Sequence, residues 1–453
     1  MMKLIPFIRN FLNKGHERSV LAKKQILLSF FFKGFSIILY FLSVPLLINY
    51  LDSEKYGIWL TLTSIISWFT FFDAGLGNGL RNKLAESIAI KDLKLAKVYV
   101  STTYALVSGI FISLIIIFVC INFSLDWGRI LNTKNIPLSE LSLFTLIVFS
   151  QFLLRFIFNL IGIILTADQK PSINNAFEPI GSAVSLLLIF ILTKIIRGEF
   201  ILFGFIMSFF PLLVLIIASI ILFKKRYRQI RPSYKSIEWK YSKELIGVGS
   251  KFFIIQIASL LLFSTANVIL TQIYGPESVV SYNVAFRYFQ IPIMGYSIIL
   301  IPMWSSVTNA YILKDFDWIK RTFKKLQQVS ILFYLATILM LLFSNLFYKM
   351  WLGNKIHIPV ELSVSMALFA LINLFSAPLS QIINGTGKIY LTVTIIFLII
   401  LFYVPFAVFL AKTRLRESGV MFATCLLNGI PQIFYYIQVK KLISDRASGI
   451  WNK

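Results

Sequence analysis

The chain has 453 residues, 58% hydrophobic and 16% aromatic, with only 14% charged, and its mean hydropathy is +0.81. A soluble chain of this length carries far more charge, so a water-soluble globular domain is excluded. The net charge of +25 follows the loop pattern described below, which marks a membrane surface rather than a nucleic-acid face.

In chain order, residues 1–25 form a segment in which Leu4, Ile5, Ile8, Phe11 and Leu12 are interleaved with Lys3, Arg9 and Lys14. That spacing fits either an amphipathic helix lying on the inner surface or a loose tail. A helix needs about 20 apolar residues to cross the hydrocarbon, and twelve stretches qualify. They are 26–49, 57–80, 98–123, 138–166, 171–194, 200–223, 244–272, 278–303, 326–348, 359–384, 389–411 and 417–439. The first is too long for a signal-peptide core and is read as a retained helix.

Alternate loops differ in charge. The N-terminus, 81–97, 167–170, 224–243, 304–325, 385–388 and the C-terminal residues 440–453 hold 30 of the 44 Lys and Arg. The positive-inside rule therefore places both termini in the cytoplasm. The run Lys224, Lys225, Arg226, Arg228, Arg231 is the strongest anchor, beside anionic headgroups. The longest external loop, 123–137, has no room for a folded domain. Trp59, Trp127, Trp351 and Tyr403 read as anchors at the membrane interface.

The halves match weakly. With a shift of 223 residues, Glu54 meets Glu277, Lys91-Asp92 meets Lys314-Asp315 and Lys97 meets Lys320. With shifts of 218 to 222, Pro137 meets Pro359, Lys170 meets Lys388 and Pro211 meets Pro431. Six spans repeated in parallel give an all-α membrane protein of twelve transmembrane helices. They form two six-helix lobes related by a pseudo-two-fold axis normal to the membrane. The divisions are a cytoplasmic segment 1–25, an N-lobe 26–223, a basic linker 224–243, a C-lobe 244–440 and a tail 441–453. Pro45, Pro179, Pro211, Pro292, Pro378, Pro405 and Pro431 interrupt spans and allow bends.

Cys120 and Cys425 are isolated in apolar stretches, and His16 and His357 fall in loops. That gives neither a disulfide framework nor a metal site, and no cofactor is expected. The glycines of Gly75-Leu-Gly77-Asn-Gly79 match neither a dinucleotide fingerprint nor a Walker loop, since Arg81-Asn82 replaces Lys-Ser/Thr. In a membrane helix, Gly75 and Gly79 make a small-residue face that admits a neighbouring backbone. Arg81 and Lys83 mark the cytoplasmic exit.

The run PLLINYLDSEKYGIWLTLTSIISWFTFFDAGLGNGLRNKLAE, Pro45 to Glu86, resembles the polysaccharide and O-antigen flippases of the multidrug/oligosaccharidyl-lipid/polysaccharide exporter superfamily. The resemblance is strongest over about the first hundred residues. It implies two six-helix lobes and the transfer of lipid-linked oligosaccharide repeat units across the bacterial inner membrane. It leaves the sugar open.

Six ionisable residues fall well inside the spans, away from their ends: Lys33, Asp73, Arg155, Glu178, Lys251 and Arg287. Facing lipid, they would oppose insertion by about 15–20 kcal/mol in all, so they face a bundle interior or a wet cavity. Lys33–Asp73 and Arg155–Glu178 are candidate ion pairs on neighbouring helices. Asp73 and Glu178 are equally candidates for carrying H+ or Na+. Lys251 can snorkel to the interface, whereas Arg287, deep between Phe286 and Tyr288, is expected to face the cavity. Four cations against two anions suit an anionic substrate, and the diphosphate of a lipid-linked sugar offers oxygens that arginine grips bidentately. Arg155, Arg287, Lys251 and Lys33 are the expected substrate contacts. A multidrug cation antiporter would want an acidic cavity, and a polysaccharide polymerase a larger external loop. Expected partners are thus the lipid-linked oligosaccharide diphosphate and membrane lipids, without nucleic acid.

Overall fold

The computed structural model describes residues 17–69, 76–196, 198–245, 265–300, 303, 307, 310–311, 313–353 and 356–452. Residues 1–16, Asp73, Gly75 and Lys251 lie outside them, so the expectations placed on those residues are not met or missed here. The described elements are helical. In the first part of the chain they are α1 (Glu17–Tyr50), α2 (Ser53–Ser67), α3 (Leu76–Ala89), α4 (Leu93–Asn122), the short α5 (Trp127–Ile130), α6 (Leu138–Ala167), α7 (Pro171–Leu192) and α8 (Phe200–Lys224). Then come α9 (Pro276–Leu300), α10 (Phe316–Leu342), α11 (Ser344–Leu352), α12 (Val360–Thr386), α13 (Tyr390–Ala411) and α14 (Glu417–Ile443). Among the described residues nine helices are long and apolar enough to cross a membrane: α1 over Leu27–Tyr50, α4, α6, α7, α8, α10, α12, α13 and α14. α9, at 25 residues, has the length but a more polar sequence. All seven prolines stand inside helices.

The chain divides into two compact units. Unit 1 comprises residues 1–55 and 66–256. In it α1 packs on α7, α7 on α8, α6 on α8, and α4 on α6, while α3 lies against both α4 and α6. Gly181 lets α7 and α8 approach, since a Cβ there would lie 2.6 Å from the Pro211 Cα. Where α4 gives way to α6, Asn122 ties the corner together. Its amide donates to the Ser142 carbonyl at 2.9 Å, and its Oδ1 accepts from the Trp127 indole N–H at 3.0 Å and from Thr145 Oγ1 at 3.1 Å.

Unit 2 comprises residues 56–65 and 257–453. There α12 packs on α14, α9 and α10 pack on α12, and α13 packs on α14. The α2 residues 56–65 join this unit through polar contacts. The Thr61 and Thr271 hydroxyls lie 2.6 Å apart, Asn267 donates to Ser64 Oγ at 2.8 Å, and Asn283 donates to Asn267 Oδ1 at 2.9 Å.

Local geometry repeats where the sequence repeats. Asp92 and Asp315 are N-caps of α4 and α10, each accepting from the backbone N–H three residues on. The lysine before each is left-handed, with φ of 60° at Lys91 and 58° at Lys314. Pro137 and Pro359 precede α6 and α12 with nearly equal torsions. Gly198 and Arg416, also 218 residues apart, both take positive φ just before α8 and α14.

Three expectations are corrected. α3 does not stop near Gly79 but continues past Arg81 and Lys83 to Ala89. The predicted span 326–348 breaks at Phe343, between α10 and α11. Trp127 and Tyr403 are not interface anchors: they are 4% and 1% exposed, enclosed by their own units.

Replacing Asn122 by Leu removes the carboxamide's bonds to Trp127, Ser142 and Thr145, leaving the indole only the longer 3.3 Å bond to the residue-122 carbonyl, and is expected to cost about 1–3 kcal/mol. Thermal unfolding of the detergent-solubilised protein reads this directly. Adding Trp127→Phe removes the donor that has lost its shorter partner, so the double variant loses less than the sum of the singles.

A polar cleft in the first unit

Between α1, α6, α7 and α8 of unit 1 lies a cavity of about 600 Å³. Its charged lining is Lys33, Arg155 and Glu178. Its uncharged polar lining is Ser36, Asn159, Asn174 and Asn175, and Phe152, Phe156 and Phe177 supply rings. Helical spacing explains the grouping. Lys33 and Ser36 are three apart, while Arg155 and Asn159, and Asn174 and Glu178, are four apart, so each set shares one face of its helix. At about 1.5 Å per residue, Asn174 is about 5 Å, Glu178 about 10 Å and Arg155 about 18 Å from the ends of α7 and α6 at the turn they share. The polar groups thus descend into the apolar layer stepwise. Pro179 and Pro211 form part of the wall, which the Gly181 contact holds close.

Arg155 Nη2 lies 3.6 Å from Glu178 Oε1. The Glu178 side chain is 75% exposed and that of Arg155 30%. An ion pair this long and open contributes at most about 1 kcal/mol. Such exposure at membrane depth is tolerable only where water enters, which the cleft provides. Of the six charges singled out from sequence, the structure therefore brings Lys33, Arg155 and Glu178 to one cavity. Arg287 lies in unit 2, half-buried on α9, where it acts electrostatically on Tyr56. Sequence reasoning passed over Asn159, Asn174 and Asn175. Their signal was the three- or four-residue spacing to a charge within the span.

The glycine motif serves a different purpose from the cleft. A Cβ on Gly79 would overlap the carbonyl of Leu245, two residues past the end of the basic linker. One turn on, Lys83 binds Glu244 at 2.6 Å and Glu86 at 3.2 Å, and Tyr99 donates to Glu244 at 3.3 Å. The bond to Glu244 holds the Lys83 ammonium above its ordinary pKa. Further along the linker, Arg226 and Tyr227 both donate to Asp168 Oδ2, at 2.9 and 2.8 Å. Burial first, then this carboxylate, raises the Tyr227 phenol pKa. The backbone N–H groups of Ser233 and Glu238 donate to Ser101 and Thr102 on α4. The linker is therefore strapped across one end of unit 1, while Lys224, Lys225, Arg228 and Arg231 stay exposed.

A bundle of apolar helices with a charged cleft inside the apolar layer defines a multi-pass membrane protein, and its fold is one already known for transporters. An inward-facing multidrug resistance MATE family transporter of the MOP superfamily superposes with a TM-score of 0.74 at 17% identity, covering 90% of this chain and 95% of that one. An outward-facing structure of such a transporter gives 0.64 at 15% identity, covering 96% and 98%. At these identities the likeness establishes the fold. Residues 22–308 match the family model described as polysaccharide biosynthesis protein, and the chain belongs to that family. Among curated relatives, a Yersinia pseudotuberculosis protein named for O-antigen export is 22% identical over 369 residues, covering 78% of this chain and 81% of its own. A Salmonella typhi protein named as an O-antigen transporter is 23% identical over 278 residues, covering 58% and 59%.

Because the Arg155–Glu178 pair is open, Glu178→Gln is expected to shift unfolding stability by no more than about 1 kcal/mol. Gly79→Ala, which drives a Cβ into the Leu245 carbonyl, is expected to cost about 1–3 kcal/mol. Melting temperatures of the two variants beside Gly109→Ala, whose added Cβ meets nothing within 4 Å, check the ranking.

Proposed function

We propose that the protein is a flippase that moves a polyprenyl-diphosphate-linked oligosaccharide, of the O-antigen or capsule type, across the bacterial inner membrane. The observation that carries this reading is the cleft of unit 1, where Lys33 and Arg155 outnumber Glu178 at membrane depth. The family and the O-antigen relatives supply the substrate class. The solved inward- and outward-facing transporters of this fold support alternating access as the mode of action. Both termini are assigned to the cytoplasm on the loop-charge pattern.

In this reading the diphosphate enters the cleft and takes the Arg155 guanidinium from Glu178. The exchange is cheap because the existing pair is long and solvated, whereas a guanidinium–phosphate contact is charge-assisted and bidentate. Glu178, once released, is free to take up H+ or Na+, and Asp73 is the other candidate carrier. Lys33 adds a second positive point charge. Arg287 and Lys251 are assigned the equivalent task in the second lobe. The polyprenyl chain stays in the bilayer while the head group crosses. A multidrug cation carrier of the same fold would want an acidic cleft, opposite in sign to this one.

Removing one charge-assisted hydrogen bond costs about 1.5–3 kcal/mol, a 10- to 100-fold weakening. Lys33→Gln with Arg155→Gln, and separately Arg287→Gln, are therefore expected to cut surface polysaccharide at least tenfold at unchanged protein level. The lipid-linked precursor should accumulate in the membrane. Undiminished export by these variants overturns the cationic mechanism.

A further inference from the structure

The charges in the cleft are accompanied by groups that a diphosphate does not need. Asn159, Asn174 and Asn175 line the same cavity as Lys33 and Arg155. Among the described residues, none of these three carboxamides hydrogen-bonds another side chain or carbonyl. An amide placed in an apolar layer without a partner is costly, so such groups serve water or a ligand. Phosphate oxygens only accept hydrogen bonds, and a carboxamide oxygen repels them. A carboxamide presents two donors and an acceptor, which match a hydroxyl that donates and accepts at once.

The aromatic lining has the complementary property. Phe156 is held by stacking on Phe111 at 4.5 Å and by an edge contact from Phe152 at 5.6 Å. Rings fixed in this way offer firm, negatively polarised faces to weakly positive C–H groups. Hydroxyls around an apolar C–H face are the chemistry of a sugar ring. Asn174 is also set in place: its Oδ1 rests where a Cβ on Gly162 of α6 would sit.

Resting on the flippase reading, we infer that the cleft of unit 1 contains a saccharide subsite. Asn159, Asn174 and Asn175 bind hydroxyl groups of the first sugars, the phenylalanines carry the ring faces, and Lys33 and Arg155 hold the adjoining phosphate. This division makes unit 1 a reader of neutral sugar as well as of charge. The asparagines rather than the cations then set which repeat unit is accepted.

The test uses the full chain in nanodiscs of neutral phosphatidylcholine, which removes anionic headgroups. Binding is followed by saturation-transfer NMR with a panel of neutral di- to pentasaccharides, and separately by thermal shift with inorganic diphosphate. At least one oligosaccharide is expected to bind saturably. Asn159→Ala and Asn174→Ala should each weaken it about tenfold, the equivalent of about 1.4 kcal/mol, while leaving the diphosphate shift in place. Lys33→Gln with Arg155→Gln should do the reverse. Gly162→Ala guards against misfolding as an explanation: it meets only the tip of the Asn174 side chain, so it should keep the melting temperature and still weaken the saccharide.

Diphosphate binding without binding of any oligosaccharide, or saccharide affinities unchanged in Asn159→Ala, Asn174→Ala and Gly162→Ala, overturns the subsite and leaves the flippase reading standing. Absence of both kinds of binding, with no lipid-linked precursor accumulating in cells that lack the protein, removes the flippase reading itself.

Discussion

Hydrocarbon offers no hydrogen bonds, and every polar atom in this chain is placed under that constraint. Most hydroxyls on the helices answer it locally by donating back to a carbonyl one turn earlier, as Ser36 does to Phe32 and Thr61 to Gly57. Others bridge helices, as Ser185 does to the Ile206 carbonyl. At the α4–α6 corner a whole group of polar atoms closes on itself around Asn122. Asn159, Asn174 and Asn175 instead line one cavity together with Lys33, Arg155 and Glu178. The cleft is therefore a place where the general rule for membrane helices is suspended, and suspension needs water or a ligand to sustain it.

Close approach of backbones does the complementary work. Gly181 brings α7 against Pro211, Gly162 admits the Asn174 side chain, and Gly79 admits the Leu245 carbonyl. The first two shape the cleft and its lining. The third belongs to the Gly75-Leu-Gly77-Asn-Gly79 motif, and it seats the chain just past the linker rather than a phosphate. Lys83 and Glu244 then lock what Gly79 positions. A motif that looks like a ligand loop is thus a docking seat for the chain's own backbone.

Much of this was legible beforehand because the signals are local. Apolar length marks spans, and a constant shift pairs Lys91-Asp92 with Lys314-Asp315, so Asp92 and Asp315 stood out as equivalent before their geometry was seen. The Arg155 and Glu178 positions were legible because a charge in a span is expensive wherever it points. The asparagines were not, since an uncharged amide within a span also serves to join helices, and only coordinates separate a joined amide from an unjoined one. Trp127 was misread for a related reason: an indole at a span end suits the membrane interface, but here the Asn122 acceptor lies five residues away and draws it inward. The passage of α3 beyond Lys83 was hidden because its last turns are held by soluble-type contacts, which leave no trace in hydropathy.

The two units share punctuation but not the charges deep in their spans. Left-handed lysines, aspartate caps, prolines ahead of α6 and α12 and positive-φ turns ahead of α8 and α14 recur with nearly constant offsets. Such positions are fixed by backbone geometry, which any helix of this length and direction must satisfy. The ionisable residues deep in the spans do not recur: Arg155 and Glu178 have no charged counterparts at the corresponding points of α12 and α13, whereas Glu140 and Glu361 recur in the first turns of α6 and α12. Backbone punctuation is therefore what the two units have in common, whereas the contents of a cleft are answerable to whatever enters it. On that division, the side chains that differ between the units carry the chemistry, and those that repeat carry the fold.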